Sequence, residues 1–284
     1  MLSKRRKNNL LLFVYGLLRK REENHELLKG APCVCEQAAI NGVLYKTEKG
    51  QPAASLAETA FVYGELYETD HQMIRKLDAH YADFDREEVA VTTDLGNKTA
   101  FAYVVKPEQC ASFSRIKSGD WKEYRFMKRE DDSPVYYFAY GSCMDNARFK
   151  QAGVDHFFAE PVGGAVVKGY STRFTLRRPD GSRADLVEDG GRTEGVLYKL
   201  PFEAATYLYK REGVDSHTYR PAFIEVNAGG RIYRGCLTFL VLDKAEEIAP
   251  PGHYQEEIER GADLYLSPAF SEKLKRHMNS LPKM

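Results

Sequence analysis

Two stretches decide how this chain folds: FVYGELYETDHQMIRKLDAH, residues 61 to 80, and TEGVLYKLPFEAATYLYKRE, residues 193 to 212. Each begins as an apolar strand built around a glycine, Gly64 or Gly195, and passes into a segment with helical spacing. In the first, Met73, Ile74 and Leu77 carry that spacing; in the second, Pro201 stands in a helix-opening position. Aligning Gly64 with Gly195 keeps the two helices in step without a gap. A hairpin follows each helix. Residues 89–93 and 99–105 flank Leu95-Gly96-Asn97, while TYRPAFIEV and RIYRGCLTFLV flank Asn227-Ala228-Gly229-Gly230. The chain therefore reads as an internal repeat. A further GVLYK at residues 42 to 46 runs into TEKGQPA, which cannot form the amphipathic helix, so it does not set the register.

Each half also opens with a strand that breaks into small residues: LLFVYGLLR at 11 to 19 and VYYFAYGSCM at 135 to 144. An ordinary glycine turn explains either one. Alternatively, the backbone at the end of each strand is shaped to hold a ligand. Between the halves, residues 106 to 134 are dense in mixed charge and end in Asp131-Asp132-Ser133-Pro134, a linker signature. Trp121, Tyr124 and Met127 fit a short helix closing the first half. The expected domains are residues 1–132 and 133–284. Each is an α+β unit, a small, mostly antiparallel β-barrel with flanking helices.

Bulk properties agree with two globular cores. The 284 residues exceed a single core and suit two domains of about 100–150 residues. Forty-one Lys and Arg balance 41 Asp and Glu, which gives no electrostatic footprint for nucleic acid or a polyacidic partner. The basic run at residues 4–7 is short and reads as a solvated tail. The apolar stretch after it is shorter than the roughly 20 residues of a membrane span, and no small-residue cleavage site follows. Five scattered cysteines, at 33, 35, 110, 143 and 236, lack paired CxxC units, and seven histidines show no ligand spacing. The expectation is a cytoplasmic protein with reduced thiols, no metal and no membrane association. Its oligomeric state is not legible.

The halves differ at one titratable position. Seventeen residues after Gly195 stands Glu212, at the helix end before Gly213; seventeen after Gly64 stands Tyr81. A helix-end glutamate is ordinarily solvated. This one has the wrong sign for the helix dipole, and held against apolar neighbours it would have a raised pKa and serve as an acid/base. Cys143, at a strand–helix turn, is an alternative nucleophile if a partner such as His217 approaches. Arg192 and the pair Glu188-Asp189 lie in EDGGR, read as an exposed turn. Tyr219 and Tyr254 are either core tyrosines or site residues.

The second half resembles γ-glutamylcyclotransferases. The resemblance rests on Tyr140-Gly141-Ser142-Cys143-Met144, the strand Gly195–Tyr198, Glu212-Gly213, and Tyr219 seven residues after Glu212. It extends through Pro251-Gly252-His253-Tyr254, Gly261-Ala262 and Leu266-Ser267-Pro268 to Leu274. The first half is similar to the γ-glutamylamine cyclotransferase and AIG2-like branch through Val14-Tyr15-Gly16-Leu17-Leu18-Arg19 and through Phe84 and Arg86. Where that branch has Leu-Asp-x-x-Glu-Gly, this chain has Leu77-Asp78-Ala79-His80-Tyr81-Ala82, without the acid.

The resemblance implies cofactor-free cleavage of a γ-glutamyl amide: the α-amine attacks the γ-carbonyl, giving 5-oxoproline and a free amine. Glu212 would move the protons. Tyr140, Gly141, Ser142, Cys143, Met144, Tyr219 and Tyr254 would hold the substrate. Cys143 departs from the family's asparagine. The first-domain turn, Tyr15, Gly16, Leu17 and Leu18, could hold a small ligand without catalysis. Two other readings stand beside this one: a non-catalytic carboxylate-binding protein, and an amidohydrolase or acyltransferase using Cys143.

Overall fold

The computed structural model describes residues 9–283; the basic run at residues 4–7 lies outside them. The chain divides into two compact units between Arg129 and Glu130.

In the first unit the elements are β1 (Leu10–Val14), β2 (Cys33–Asn41), β3 (Val43–Lys46), β4 (Pro52–Ser55), β5 (Phe61–Thr69) and α1 (His71–His80). They continue with β6 (Asp85–Thr92), β7 (Lys98–Val104), β8 (Ser114–Ile116) and α2 (Trp121–Met127). Strands β1-β5-β2-β6-β7 close a barrel, and β4-β3-β8 form a separate three-stranded sheet. Closure is made by a parallel contact of β1 with β7, with Leu12 opposite Phe101. Phe13, Ile40, Val62, Leu66, Val91 and Ala102 fill the interior. Helix α1 starts where the Asp70 side chain accepts the Met73 N–H at 2.9 Å, satisfying one of the orphan donors of a helix N-terminus. It buries Ile74 and Leu77. The Trp121 helix is present as α2, capped by Asp120.

The second unit holds β9 (Val135–Ala139), α3 (Ala147–Gln151), β10 (Pro161–Arg178), β11 (Gly181–Leu200) and α4 (Phe202–Arg211). After these come β12 (Tyr219–Ala228), β13 (Arg231–Val241), α5 (Gly252–Tyr265) and α6 (Pro268–Ser280). Its barrel runs β10-β11-β9-β13-β12. It closes by the equivalent parallel contact, Leu237 opposite Tyr137. Pro201 caps α4 rather than occupying its first turn.

The repeat holds at atomic scale. A Cβ built on Gly64 would stand 2.3 Å from the Val14 carbonyl oxygen and 2.6 Å from Phe13 Cζ. On Gly195 it would stand 2.3 Å from the Ala139 carbonyl oxygen and 2.6 Å from Phe138 Cζ. In both halves the glycine lets an aromatic ring from the first strand cross over the second, so the ring fills the barrel beneath the turn.

EDGGR is not a turn. Residues 188–192 lie inside β11, where the ladder to β10 shifts register between Gly169 and Ser171. Gly190 (φ 81°) and Gly169 (φ 88°) absorb that irregularity. Asp189 binds Arg173 at 2.8 Å and Arg192 binds Glu194 at 3.0 Å. The two glycines bend a strand instead of ending it.

Gly195→Ala is expected to destabilise the second unit by about 1–3 kcal/mol through overpacking against Phe138. Urea unfolding followed by circular dichroism measures it; an unchanged midpoint would mean that both the Phe138 ring and the Ala139 carbonyl, 2.3 Å from the added Cβ, move aside freely.

Candidate active site

Strand β9 delivers the turn that begins at Tyr140. The Tyr140 hydroxyl donates across the barrel to the Phe239 carbonyl, so the chain leaves β9 at a fixed point. Residues 142–144 then form one short helical turn, whose first bond runs from the Met144 N–H to the Gly141 carbonyl at 3.0 Å. The Ser142 and Cys143 N–H groups precede that bond, so the turn itself supplies them no acceptor. Tyr198 on β11 braces the turn from behind, its hydroxyl donating to the Cys143 carbonyl at 3.2 Å.

Helix α4 delivers the acid. Gly213 adopts φ 64°, the left-handed conformation that ends helices, and the Val214 N–H returns to the Tyr209 carbonyl at 3.0 Å. Glu212 is therefore the last residue before the chain turns away. Its side chain is only 17% exposed. Tyr137, Tyr140, Gly141, Ser142, Cys143, Ala184, Glu212, Tyr219, Phe239 and Tyr254 together line a cavity of about 30 Å³.

Of the residues expected from the sequence, Glu212, the turn from Tyr140 to Cys143, Tyr219 and Tyr254 thus come together. Met144 does not join them. It is buried beneath the turn, where a Cβ on Gly261 of α5 would stand 2.5 Å from its own Cβ. His217 is exposed and lies outside the cavity lining, so it gives Cys143 no base there.

Three lining residues and one neighbour were not anticipated. Tyr137 precedes Ala139 by the two-residue period of a strand, and Phe239 is the repeat counterpart of Tyr103; both were open to pattern reasoning. Ala184 enters from the β10–β11 hairpin. Its carbonyl accepts the Tyr219 hydroxyl at 2.8 Å, and its N–H donates to the Tyr254 hydroxyl at 3.2 Å. Arg211 stands just outside the lining. Its Nε lies 3.3 Å from Cys143 Sγ and 3.7 Å from Glu212 Oε1.

Burial pushes the Glu212 carboxyl above its ordinary range, against the opposing pull of Arg211. Cys143 Sγ donates weakly to Glu212 Oε1 at 3.5 Å, and burial raises the thiol as well. Tyr137, Tyr140 and Tyr219 are raised well above a free phenol by burial, and Tyr254 is pushed up to about 12. The cavity thus brings together one carboxyl whose pKa is raised by burial, phenols and a thiol that burial keeps protonated near neutral pH, and a backbone turn.

Comparisons with known proteins bear on the family. Residues 12–123 match the family model described as "Gamma-glutamyl cyclotransferase, AIG2-like", and residues 192–274 match the "AIG2-like family" model. The chain is 60% identical to the Bacillus subtilis protein "Putative gamma-glutamylcyclotransferase YkqA" over 276 residues, covering 97% of this chain and 99% of the relative. The chain belongs to the γ-glutamylcyclotransferase family. The crystal structure of YkqA superposes with a TM-score of 0.92 at 59% identity, covering 97% of this chain and all of that one. A Niallia circulans protein, "Gamma-L-glutamyl-butirosin B gamma-glutamyl cyclotransferase", is 32% identical over 123 residues, 40% of this chain and 76% of its own. Both units of the chain carry the γ-glutamylcyclotransferase fold, in tandem.

A carboxyl with a raised folded-state pKa contributes stability that is complete below its unfolded pKa and is lost as pH rises through the folded value. Glu212→Gln cannot lose a proton. Its melting temperature relative to wild type is therefore expected to become more favourable as pH rises from 4 to 8. Scanning calorimetry across that range checks the sign; a flat or opposite trend would mean that Glu212 is not desolvated.

Proposed function

We propose that the second unit is a γ-glutamylcyclotransferase that uses Glu212 as its acid/base and yields 5-oxoproline from a small-molecule γ-glutamyl amide. The observation that carries this reading is one largely shielded carboxylate with raised pKa lining the same cavity as the Ser142–Cys143 turn. In this reaction nucleophile and electrophile belong to one molecule, so the protein's task is to hold the ring-closing conformer and move protons. Ionised Glu212 takes a proton from the substrate's α-ammonium. The freed amine attacks the γ-carbonyl carbon, a C–N bond forms, and the carbonyl oxygen gains negative charge. The turn N–H groups are the donors suited to that oxygen. As the carbonyl re-forms, the old C–N bond breaks, Glu212, now protonated, returns its proton to the departing amine, and the ring nitrogen gives up its second proton to solvent to become the neutral lactam N–H.

The upward shift serves both halves of this cycle, because it moves the Glu212 carboxyl towards the working pH, where an acid/base exchanges protons best. A cavity of about 30 Å³ gives room at the reacting centre and not for a whole dipeptide. The departing amine therefore projects outward, and the identity of that amine is read outside the cavity.

A thiol nucleophile is disfavoured. Cys143 is raised by burial, and its sulfur contacts Arg211 and Glu212 without a histidine. In the first unit Tyr81 holds the position of Glu212. Burial raises its phenol further, so it stays protonated and accepts no proton near neutral pH.

Incubation with a panel of γ-glutamyl amines and peptides, with 5-oxoproline scored by mass spectrometry, tests the activity. Glu212→Gln in the full chain is expected to lower turnover by about 10²–10⁴-fold, while Cys143→Ser keeps turnover within about tenfold of wild type, as a side chain that takes no covalent part. Activity of Glu212→Gln close to wild type would shift the chemistry to the first unit. Loss with Cys143→Ser would favour the thiol.

A further inference from the structure

The first unit keeps the frame of the site and changes its contents. The Tyr15 hydroxyl donates to the Tyr103 carbonyl at 2.7 Å, as Tyr140 does to that of Phe239. Tyr81 ends α1 as Glu212 ends α4. Yet the cavity between these elements is about 250 Å³, against 30 Å³ in the second unit. That is close to the lower end of the ~300–1,000 Å³ typical of small-molecule pockets.

The walls explain what such a cavity can take. Tyr81 lies against Tyr103 with ring centroids 5.1 Å apart and meets Phe84 edge-on at 5.4 Å. These three rings, with Tyr15, form an aromatic lining. The turn from Tyr15 to Leu18 forms another wall, and its first backbone bond is made by the Arg19 N–H to the Gly16 carbonyl at 3.0 Å. The Leu17 and Leu18 N–H groups come before that bond, as Ser142 and Cys143 do in the second unit. Among the lining residues the one carboxylate is Asp83, which is exposed. Nearby Asp78 is engaged by Arg86 at 2.6 and 2.7 Å and by the Tyr103 hydroxyl at 2.9 Å. His80, also in the lining, is exposed and lies 3.2 Å from the Asn24 amide through its Nε2, so the interior joins backbone N–H donors to flat apolar surface with no carboxylate at the helix end.

We propose that this cavity is a non-catalytic binding site for a small arylalkyl carboxylate. The carboxylate sits on the Leu17 and Leu18 N–H groups and the ring packs against Tyr81 and Phe84. From the function proposed above it takes only the view of the turn N–H groups as donors to a negatively charged oxygen, and its test reads binding rather than turnover.

The probe is 3-phenylpropionate, titrated by calorimetry into the full chain carrying Glu212→Gln, so that neither substrate nor second-unit turnover enters the result. Millimolar or tighter binding is expected, with 3-phenylpropan-1-ol, which lacks the charge, and propionate, which lacks the ring, each at least about tenfold weaker. Tyr81→Phe keeps the affinity and Tyr81→Ser lowers it by about tenfold. In leucine-¹⁵N-labelled protein the assigned Leu17 and Leu18 amide signals shift. Absence of heat at millimolar ligand, equal binding of the alcohol, or shifts confined to ¹⁵N-cysteine signals of the second-unit turn would each overturn the proposal. The acid–alcohol comparison needs no variant, so a poorly folding Tyr81→Ser does not blunt the test.

Discussion

A carboxylate held away from water beside a single shared guanidinium governs the second unit. At 3.7 Å from Glu212 Oε1, and with an effective dielectric near 20, Arg211 attracts the ionised form by about 4 kcal/mol. Withdrawing a carboxylate from water costs several kcal/mol. The two are close in size, and Arg211 also spends its Nε on Cys143 Sγ. Arg148, a further cation whose field reaches Glu212, is engaged with Glu257 at 2.7 Å. Burial prevails, and the proton is held more tightly than on a free glutamate. The position adds to this, because the C-terminal end of α4 carries the negative pole of the helix. A fully paired Glu212 would be an inert ion. A solvated one would be a weak acid with no reason to reclaim a proton.

The same frame in the first unit shows what the carboxylate costs. With Tyr81 at the helix end no charge has to be buried, and the position is filled by ring packing on Tyr103 and Phe84. The barrel geometry scarcely notices the exchange. Gly64 and Gly195 meet their opposing rings at matching distances, and both barrels close by one parallel contact. The frame and the contents of the cavity are therefore set by separable groups of residues. The glycine–ring crossing and barrel closure hold the turn, and the helix-end side chain sets whether a carboxyl or a ring stands before it.

That separation also explains what could be read from the sequence. The fold was legible because it is written twice, and comparing the two copies exposed both the register and the single position where a carboxylate faces a phenol. The turn residues and Glu212 followed from local pattern. Ala184 did not, because it reaches the cavity through a long hairpin whose bulges have no fixed sequence mark. The same hairpin made EDGGR resemble a turn: adjacent glycines signal a break, and only the pairing with β10 shows that the strand continues. Met144 was placed with its neighbours because adjacency in a turn says nothing of direction; one helical turn sends its side chain inward, under Gly261. Arg211 went unremarked because basic residues near a helix C-terminus are ordinary.

Cys143 stands where the family's resemblance leads one to expect asparagine, and its surroundings show which part of that residue the site depends on. The backbone is fixed from both sides: the Tyr198 hydroxyl holds the Cys143 carbonyl, and the Tyr140–Phe239 bond fixes where the turn starts. The N–H groups therefore keep their direction whatever side chain is present. The side chain itself lies between Arg211 and Glu212 and offers one weak S–H donor, whereas an amide offers two strong N–H donors. Stronger donors favour the ionised carboxylate and lower its pKa. Cysteine at this position thus leaves the turn backbone held as before while letting burial keep the upper hand at Glu212.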